Sequence, residues 1–369
     1  MSYKCPRCLH TFQKREANVE IINTTNYYSC PNPEEEDNGR KICGKRLPLK
    51  FFNADATTIA IVGGTGVGKT YYFLALIYEL VFKKSLKRFG IQGDVLGGRK
   101  ENTLLYQFLD DIYKGRKLQS TVGMKEAINV VLDIVITSNN KTRTIYLSFF
   151  DNPGEKFSDE EYMIRNFTNV FKADGLIFLV EPKQISSFQE IIFENYEYER
   201  LRQSTEFYTV VNNTINLLNY IRTNTNSNNL FPESSWDRYV QSIKKISTTF
   251  SNKHPIPIAF TISKYDQLAN YLHVDIPLDE TEMEDLIMKN RKIDIEALNA
   301  ISNELKDLIL NEENGEIGVE NLLKSNLKSH AYFGAKSISV DSEGAPERLD
   351  PKGVSLPLLW LLIKLKKIL

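Results

Sequence analysis

The residues best able to do chemistry stand together in Gly63-Gly64-Thr65-Gly66-Val67-Gly68-Lys69-Thr70. Glycines at this density let the backbone turn its N–H groups toward a polyphosphate, and a helix starting behind them adds the positive end of its dipole. Lys69 supplies a point charge for the outer phosphates, and the Thr70 hydroxyl is a magnesium ligand. A glycine-rich turn that merely joins strand to helix is the bland alternative. The complete G-x-x-x-x-G-K-[ST] pattern argues against it. Downstream, the apolar Phe149-Phe150 leads into Asp151-Asn152-Pro153-Gly154-Glu155. A carboxylate at such a strand tip can hold the same magnesium, usually through water. Three residues on, Gly154 has no side chain to keep its N–H from a terminal phosphate.

A second chemistry is concentrated in the first 43 residues, which hold all four cysteines, Cys5, Cys8, Cys30 and Cys43. Cys5-Pro6-Arg7-Cys8 places two thiolates across a tight turn, and Cys30 with Cys43 offers a second pair. Four thiolates at tetrahedral reach suit zinc. A segment this small cannot bury a large core, so metal would supply its folding energy. A redox dithiol is the rival reading, disfavoured because the knuckle stands near the N-terminus, where no strand is expected before it, and a second pair lies far off. The long gap between Cys30 and Cys43 leaves His10 as an outside candidate ligand. Arg7, Lys14, Arg15, Lys45 and Arg46 make the segment basic in places.

These residues need elements to position them. Ile59-Ala60-Ile61-Val62 reads as a buried strand before the glycine loop, and Phe73, Leu76, Ile77, Leu80 and Val81 recur at helical spacing after it. Strands are expected at 57–62, 128–136, 144–150, 175–181, 256–263 and 331–336. Apolar runs alternating with helical periods signify a mostly parallel sheet with helices on both faces. The link Thr137–Arg143 is too short for a crossover helix, so 128–136 and 144–150 form one antiparallel hairpin. Two polar stretches, about 183–254 and 267–329, read as mainly helical insertions. Leu356–Leu369, apolar with Lys364, Lys366 and Lys367, reads as a final helix covering the sheet.

With these motifs and this hairpin, residues 57 to 369 resemble a TRAFAC-class, Ras-like P-loop GTPase. The Asp-Asn-Pro-Gly-Glu spelling and the cysteine-bearing prefix also resemble the double-GTPase-like group of bacterial conflict systems. The resemblance implies a three-layer α/β sheet that binds GTP or GDP with Mg2+. It implies that Asp151-x-x-Gly154 is the switch element and that Ser263-Lys264-Tyr265-Asp266 is the guanine-specificity element. There Asp266 accepts from the guanine ring N–H and amine while the Lys264 stem packs over the base; adenine lacks that donor pair. Ser263 replaces the usual Asn or Thr, which predicts a weaker brace to the glycine loop. Glu155 stands where the family carries a water-orienting Gln, which predicts slow or partner-dependent hydrolysis. The base-capping Ser-Ala-Lys element is altered to Gly334-Ala335-Lys336-Ser337, with Lys336 as its lysine. Thr121 fills the place of the switch threonine that binds magnesium when the γ-phosphate is present. That resemblance implies a place in defence against phage.

The chain has 369 residues, 42% apolar and 25% charged, with a formal net charge of −1. That balance argues against a surface built to neutralise nucleic-acid backbones. No apolar run reaches the roughly 20 residues that cross a bilayer, and Met1-Ser-Tyr-Lys-Cys-Pro lacks a signal core, so a cytoplasmic protein is expected. The expected organisation is a zinc ribbon over 1–48 and a GTPase domain over 49–369, with ribbon and insertions meeting protein partners. An ATPase and a non-hydrolysing, nucleotide-bound scaffold are the competing functions.

Overall fold

The computed structural model describes residues 2–22, 25–32, 36–37, 40–41, 43, 45–48, 50–116, 118, 128–138, 141–157, 162–163, 168–185, 209–211, 213–214, 256–272, 288–289, 292–309, 329–340 and 346–368. Thr121 and most of both expected insertions lie outside them.

Three short antiparallel pairs begin the chain: β1 (Ser2–Lys4) with β2 (Thr11–Gln13), β3 (Asn18–Ile22) with β4 (Thr25–Ser29), and β5 (Glu36–Asp37) with β6 (Arg40–Lys41). Their core is small, built from Phe12, Ala17, Leu47 and the cysteines.

The main sheet has eight strands. In chain order they are β7 (Asp55–Val62), β8 (Ile91–Val95), β9 (Ile128–Ser138), β10 (Lys141–Asp151), β11 (Gly175–Val180), β12 (Ile258–Ser263), β15 (His330–Val340) and β16 (Pro346–Lys352). The intervening β13 (Met288–Lys289) and β14 (Lys292–Ile293) form a separate small pair. Across the sheet the order is β16-β15-β12-β11-β7-β10-β9-β8. Strands β10, β7, β11, β12 and β15 are parallel neighbours. The expected hairpin is present, with β9 and β10 paired in unbroken register from Ser138↔Lys141 to Ile128↔Asp151. Two further antiparallel neighbours extend the edges, β8 on β9 and β16 on β15. The expectation of a single antiparallel pair is therefore corrected. Both added strands are edge strands, where one unpaired side relaxes the demand for apolar side chains.

Alternation along β7 divides the core between two faces. Ile59 and Ile61 join Phe73, Leu76 and Trp360 on one face, where α1 (Lys69–Ile77) and the C-terminal α7 (Leu356–Lys364) lie. Ala60 and Val62 join Val170, Phe178, Phe260 and Leu268 on the other. There α4 (Thr168–Phe171) and α5 (Tyr265–Leu272) pack. Helices α2 (Gly98–Glu101) and α3 (Thr103–Tyr113) follow β8, and α6 (Ile295–Ile309) precedes β15. Every residue of α7 from Leu356 to Ile363 is buried, which is the core-covering role expected of it. Among the described residues no helix is long and apolar enough to cross a membrane.

The hairpin's second face is covered by the N-terminal segment. Val131 of β9 and Tyr146 of β10 share one apolar cluster with Cys5, Phe12, Cys30, Cys43 and Phe51. The Ser148 hydroxyl donates to the Pro6 carbonyl at 2.5 Å, and the Asn129 amide donates to that of Arg7. The β10 run Ile145–Phe150 is apolar almost throughout because both its faces are buried, one by helices and one by the N-terminal segment.

Candidate functional site

Strand β7 delivers the chain into Gly63 at the sheet's C-terminal edge. A Cβ there would stand 2.5 Å from the Leu179 carbonyl oxygen of neighbouring β11, so only glycine fits. Gly66 and Gly68 adopt left-handed φ of 76° and 83°, which favours glycine, and Gly68 caps α1. Lys69, 7% exposed, folds back so that Nζ donates to the carbonyls of Gly63 at 3.0 Å and Gly64 at 2.6 Å. An ammonium poised over the crest of the loop is placed to meet phosphate oxygens instead. Thr65 and Gly66 are exposed at that crest, while Val67 is buried beneath it.

Parallel pairing sets Asp151, at the tip of β10, opposite Ile61. The Thr70 hydroxyl donates to Asp151 Oδ2 at 2.7 Å, which brings two magnesium-type oxygen ligands together. Burial pushes the Asp151 carboxyl up, opposed by the Lys69 charge and by the Thr70 hydroxyl. Gly154 lies against the glycine loop so closely that a Cβ would collide with the Gly64 carbonyl and the Lys69 ammonium. Between them Asn152, buried, accepts at Oδ1 from the Asn169 amide at 2.9 Å, which fixes the exit of β10 to α4. Glu155 lies in the single 3-10 turn Gly154–Lys156.

The other end of the site is built from β12. Ser263 is 2% exposed, and its hydroxyl lies 2.6 Å from the Val67 carbonyl and 3.2 Å from that of Val180. A serine hydroxyl has one proton, so one acceptor takes it at a time. The brace to the glycine loop is thus made despite the missing Asn or Thr. Lys264 is in a left-handed conformation, φ 52°, and donates from Nζ to the Gly66 carbonyl at 3.0 Å. Asp266 opens α5, half-buried; burial raises its carboxyl, with Lys336 opposing and Asp350 adding to the rise.

Lys336 pairs with Asp350 of β16 at 2.6 Å. Gly334–Ser337 lie inside a strand that runs on to Val340, not beyond its end, so the capping segment is held in a hairpin. The expectation that the last strand stops at Lys336 is corrected; pairing with β16 carries the extended backbone further. Sequence reasoning missed Glu181, which is 2% exposed and sits 2.5 Å from Lys264 Nζ and 3.2 Å from Lys183 Nζ. The available signal was a charged residue ending an apolar core strand, directly before Pro182. Arg116 is exposed and faces Asp111 at 3.6 Å.

A sequence profile of the family described as Double-GTPase 2 matches residues 57–335, from β7 to the middle of β15. The chain belongs to the Double-GTPase 2 family. Membership supports a GTP-binding protein of the Ras-like P-loop class. Among solved structures, similarity extends to the Arl6 BBS3 small GTPase of Trypanosoma brucei with bound GppNp. It is 11% identical over 85% of this chain and 99% of that one, with a TM-score of 0.31. The S. cerevisiae Ski7 GTPase-like domain is also similar, bound to GDP and inorganic phosphate (11% identity, TM-score 0.32) or to GTP (13%, 0.32). In both cases 87% of this chain aligns with 53% of that chain, so it spans about half the Ski7 length. No curated protein matches.

This Double-GTPase 2 member carries its cysteine cluster on the face of the β9–β10 hairpin. The four Sγ atoms lie within 4.8 Å of one another, with Cys5–Cys43 at 3.8 Å and Cys8–Cys30 at 3.7 Å. All four thiols are free. Zinc–sulfur bonds of about 2.3 Å give a tetrahedral edge of about 3.8 Å, so the donor set fits zinc. Hydrogen bonds among the sulfurs push Cys5 and Cys30 up and pull Cys8 and Cys43 down, while burial opposes ionisation of all four. A cation would relieve that conflict. His10 stands outside the cluster, its ring stacked with Phe12.

Proposed function

We propose that this chain is a GTP-hydrolysing switch protein that uses Mg2+ and couples its nucleotide state to protein partners. The observation that carries the reading is the contact of Thr70 with Asp151 beside Lys69, with Gly154 pressed against the same loop. Gly63–Thr70 cradle the phosphates, and Lys69 exchanges its loop carbonyls for phosphate oxygens. Thr70 and Asp151 hold magnesium, joined by Thr121 while the γ-phosphate is present; bound there, the ion neutralises charge developing on the phosphates. Gly154 reports the γ-phosphate through its N–H, and Glu155 orients the attacking water. A carboxylate so close to phosphate makes intrinsic turnover slow. Ser263 braces the two halves of the site, Lys264 covers the base, Asp266 reads guanine, and Lys336 flanks it. Zinc on Cys5, Cys8, Cys30 and Cys43 folds a ribbon over 1–48. That ribbon and the segments within 183–254 and 267–329 recognise partners.

Phosphate release from GTP and ATP by purified protein, with Lys69→Ala as control, tests the reading. Slow, magnesium-dependent release from GTP that Lys69→Ala abolishes is expected. Equal use of ATP, unchanged in Asp266→Asn, would sink the guanine assignment. Tight GTP binding without Lys69-dependent turnover, even with added partners, would make the chain a nucleotide-bound scaffold.

A further inference from the structure

A charge follows the apolar strand β11 directly. Glu181 is almost wholly buried, and an ionised carboxylate is costly to hold away from water unless cations face it. Lys264 and Lys183 do so, one at each carboxylate oxygen. Lys183 reaches in from two residues along the same turn. Lys264 comes from the end of a different strand, and its path has a consequence for the site. From a left-handed backbone the side chain crosses the glycine loop, its Cε 3.9 Å from where a Cβ on Gly68 would stand. At the far end the ammonium is shared between the Gly66 carbonyl at 3.0 Å and Glu181 Oε2 at 2.5 Å. A lysine has a flexible four-carbon stem and a strongly hydrated head, so a single carbonyl at an exposed crest holds it poorly. The buried carboxylate supplies the second, charge-assisted hold. Glu181 is itself fixed by the following turn, where its backbone N–H donates to Gln184 Oε1 at 3.3 Å.

We propose that Glu181 is a positioning residue of the guanine pocket, holding the Lys264 stem flat over the plane that the purine occupies. This rests on the guanine reading of Lys264 and Asp266 given above. Base affinity then depends on a side chain that never touches the base, because the lysine is ordered before nucleotide arrives and loses little freedom on binding. Contacts to the phosphates, made by Lys69 and the loop amides, do not pass through Glu181.

The test measures affinity for fluorescent mant-GDP and, by calorimetry, for inorganic pyrophosphate with magnesium. It compares wild type, the near-isosteric Glu181→Gln, Lys264→Ala and the double variant. Glu181→Gln should weaken mant-GDP binding by about tenfold or more, the worth of a hydrogen bond to a charged group. Pyrophosphate affinity should stay within about twofold, and the double variant should bind mant-GDP no more weakly than Lys264→Ala alone. Unchanged mant-GDP affinity in Glu181→Gln overturns the proposal. So does a loss that multiplies with that of Lys264→Ala, and so does an equal loss for pyrophosphate, which marks a residue that merely supports the fold. If Lys264→Ala itself binds mant-GDP as wild type does, the guanine-pocket reading fails, a result distinct from failure of Glu181 alone.

Discussion

Asp151 sits where stability and ligand binding pull in opposite directions. Its folded-state pKa is raised above the ordinary 3.8 by burial, even with Lys69 and Thr70 acting the other way. A raised carboxyl stabilises the folded chain while protonated. That contribution is complete below the unfolded value and is lost as pH rises through the folded one. At neutral pH the ionised Asp151 is therefore a burden on the nucleotide-free protein. Asp151→Asn should melt at a higher temperature than wild type at pH 7.5, with the advantage shrinking toward pH 4, while magnesium-dependent GDP affinity falls by about tenfold or more. A variant less stable at pH 7.5 would show that the pairing with Lys69 outweighs desolvation. Lys69 makes the complementary case, since its ammonium already sits on the loop at the carbonyls of Gly63 and Gly64. Removing a preorganised donor to developing phosphate charge costs about 10²–10³ in rate. Lys69→Ala should show that loss in single-turnover phosphate release.

At the level of elements, legibility followed local periodicity. The five parallel strands are buried on both faces and read as apolar runs, and the hairpin followed from a link too short to cross over. The edges did not read. In β16, Pro346, Glu347, Arg348, Asp350 and Pro351 resemble a loop, yet an edge strand tolerates prolines and uses charge to discourage further pairing. In β8 the buried positions are Ile91, Gly93 and Val95, and the glycine breaks the pattern. The glycine loop was legible because its chemistry is contiguous. Glu181 was not, because its meaning depends on a lysine 83 residues away. Gly90 marks how β8 is attached: its φ is 75°, and a Cβ would strike the Thr137 carbonyl while the Gly90 carbonyl accepts from the Thr137 N–H at 2.8 Å. Gly90→Ala should cost about 1–3 kcal/mol in chemical denaturation. Amide exchange should accelerate over 91–95 while α1 stays protected; acceleration in α1 alone would contradict this attachment.

Taken as a whole, the molecule uses its cysteine-bearing segment as the second wall of the hairpin. Tyr146 and Val131, both nearly inaccessible, are buried by residues of that segment, and the Pro6 and Arg7 carbonyls between the first two cysteines accept from Ser148 and Asn129. Lys4 reinforces the seam by pairing with Asp174 at 2.6 Å, just before β11. If zinc holds this small core, as proposed above, its removal should release the cysteine-bearing segment and the hairpin face together. Strand β10 of that hairpin ends at Asp151, so the cysteine-bearing segment packs on the strand that carries this carboxylate. Cys30→Ser should purify without stoichiometric zinc and melt several degrees below wild type, since each kcal/mol lost moves the midpoint by roughly 2–4 °C in a domain approaching this size. Its amide exchange should rise over 129–133 and 144–148 as well as over the ribbon, and GDP should dissociate faster. If only the ribbon amides were deprotected, with β9, β10 and GDP release unchanged, the segment would be an appendage resting on a hairpin that holds its shape alone.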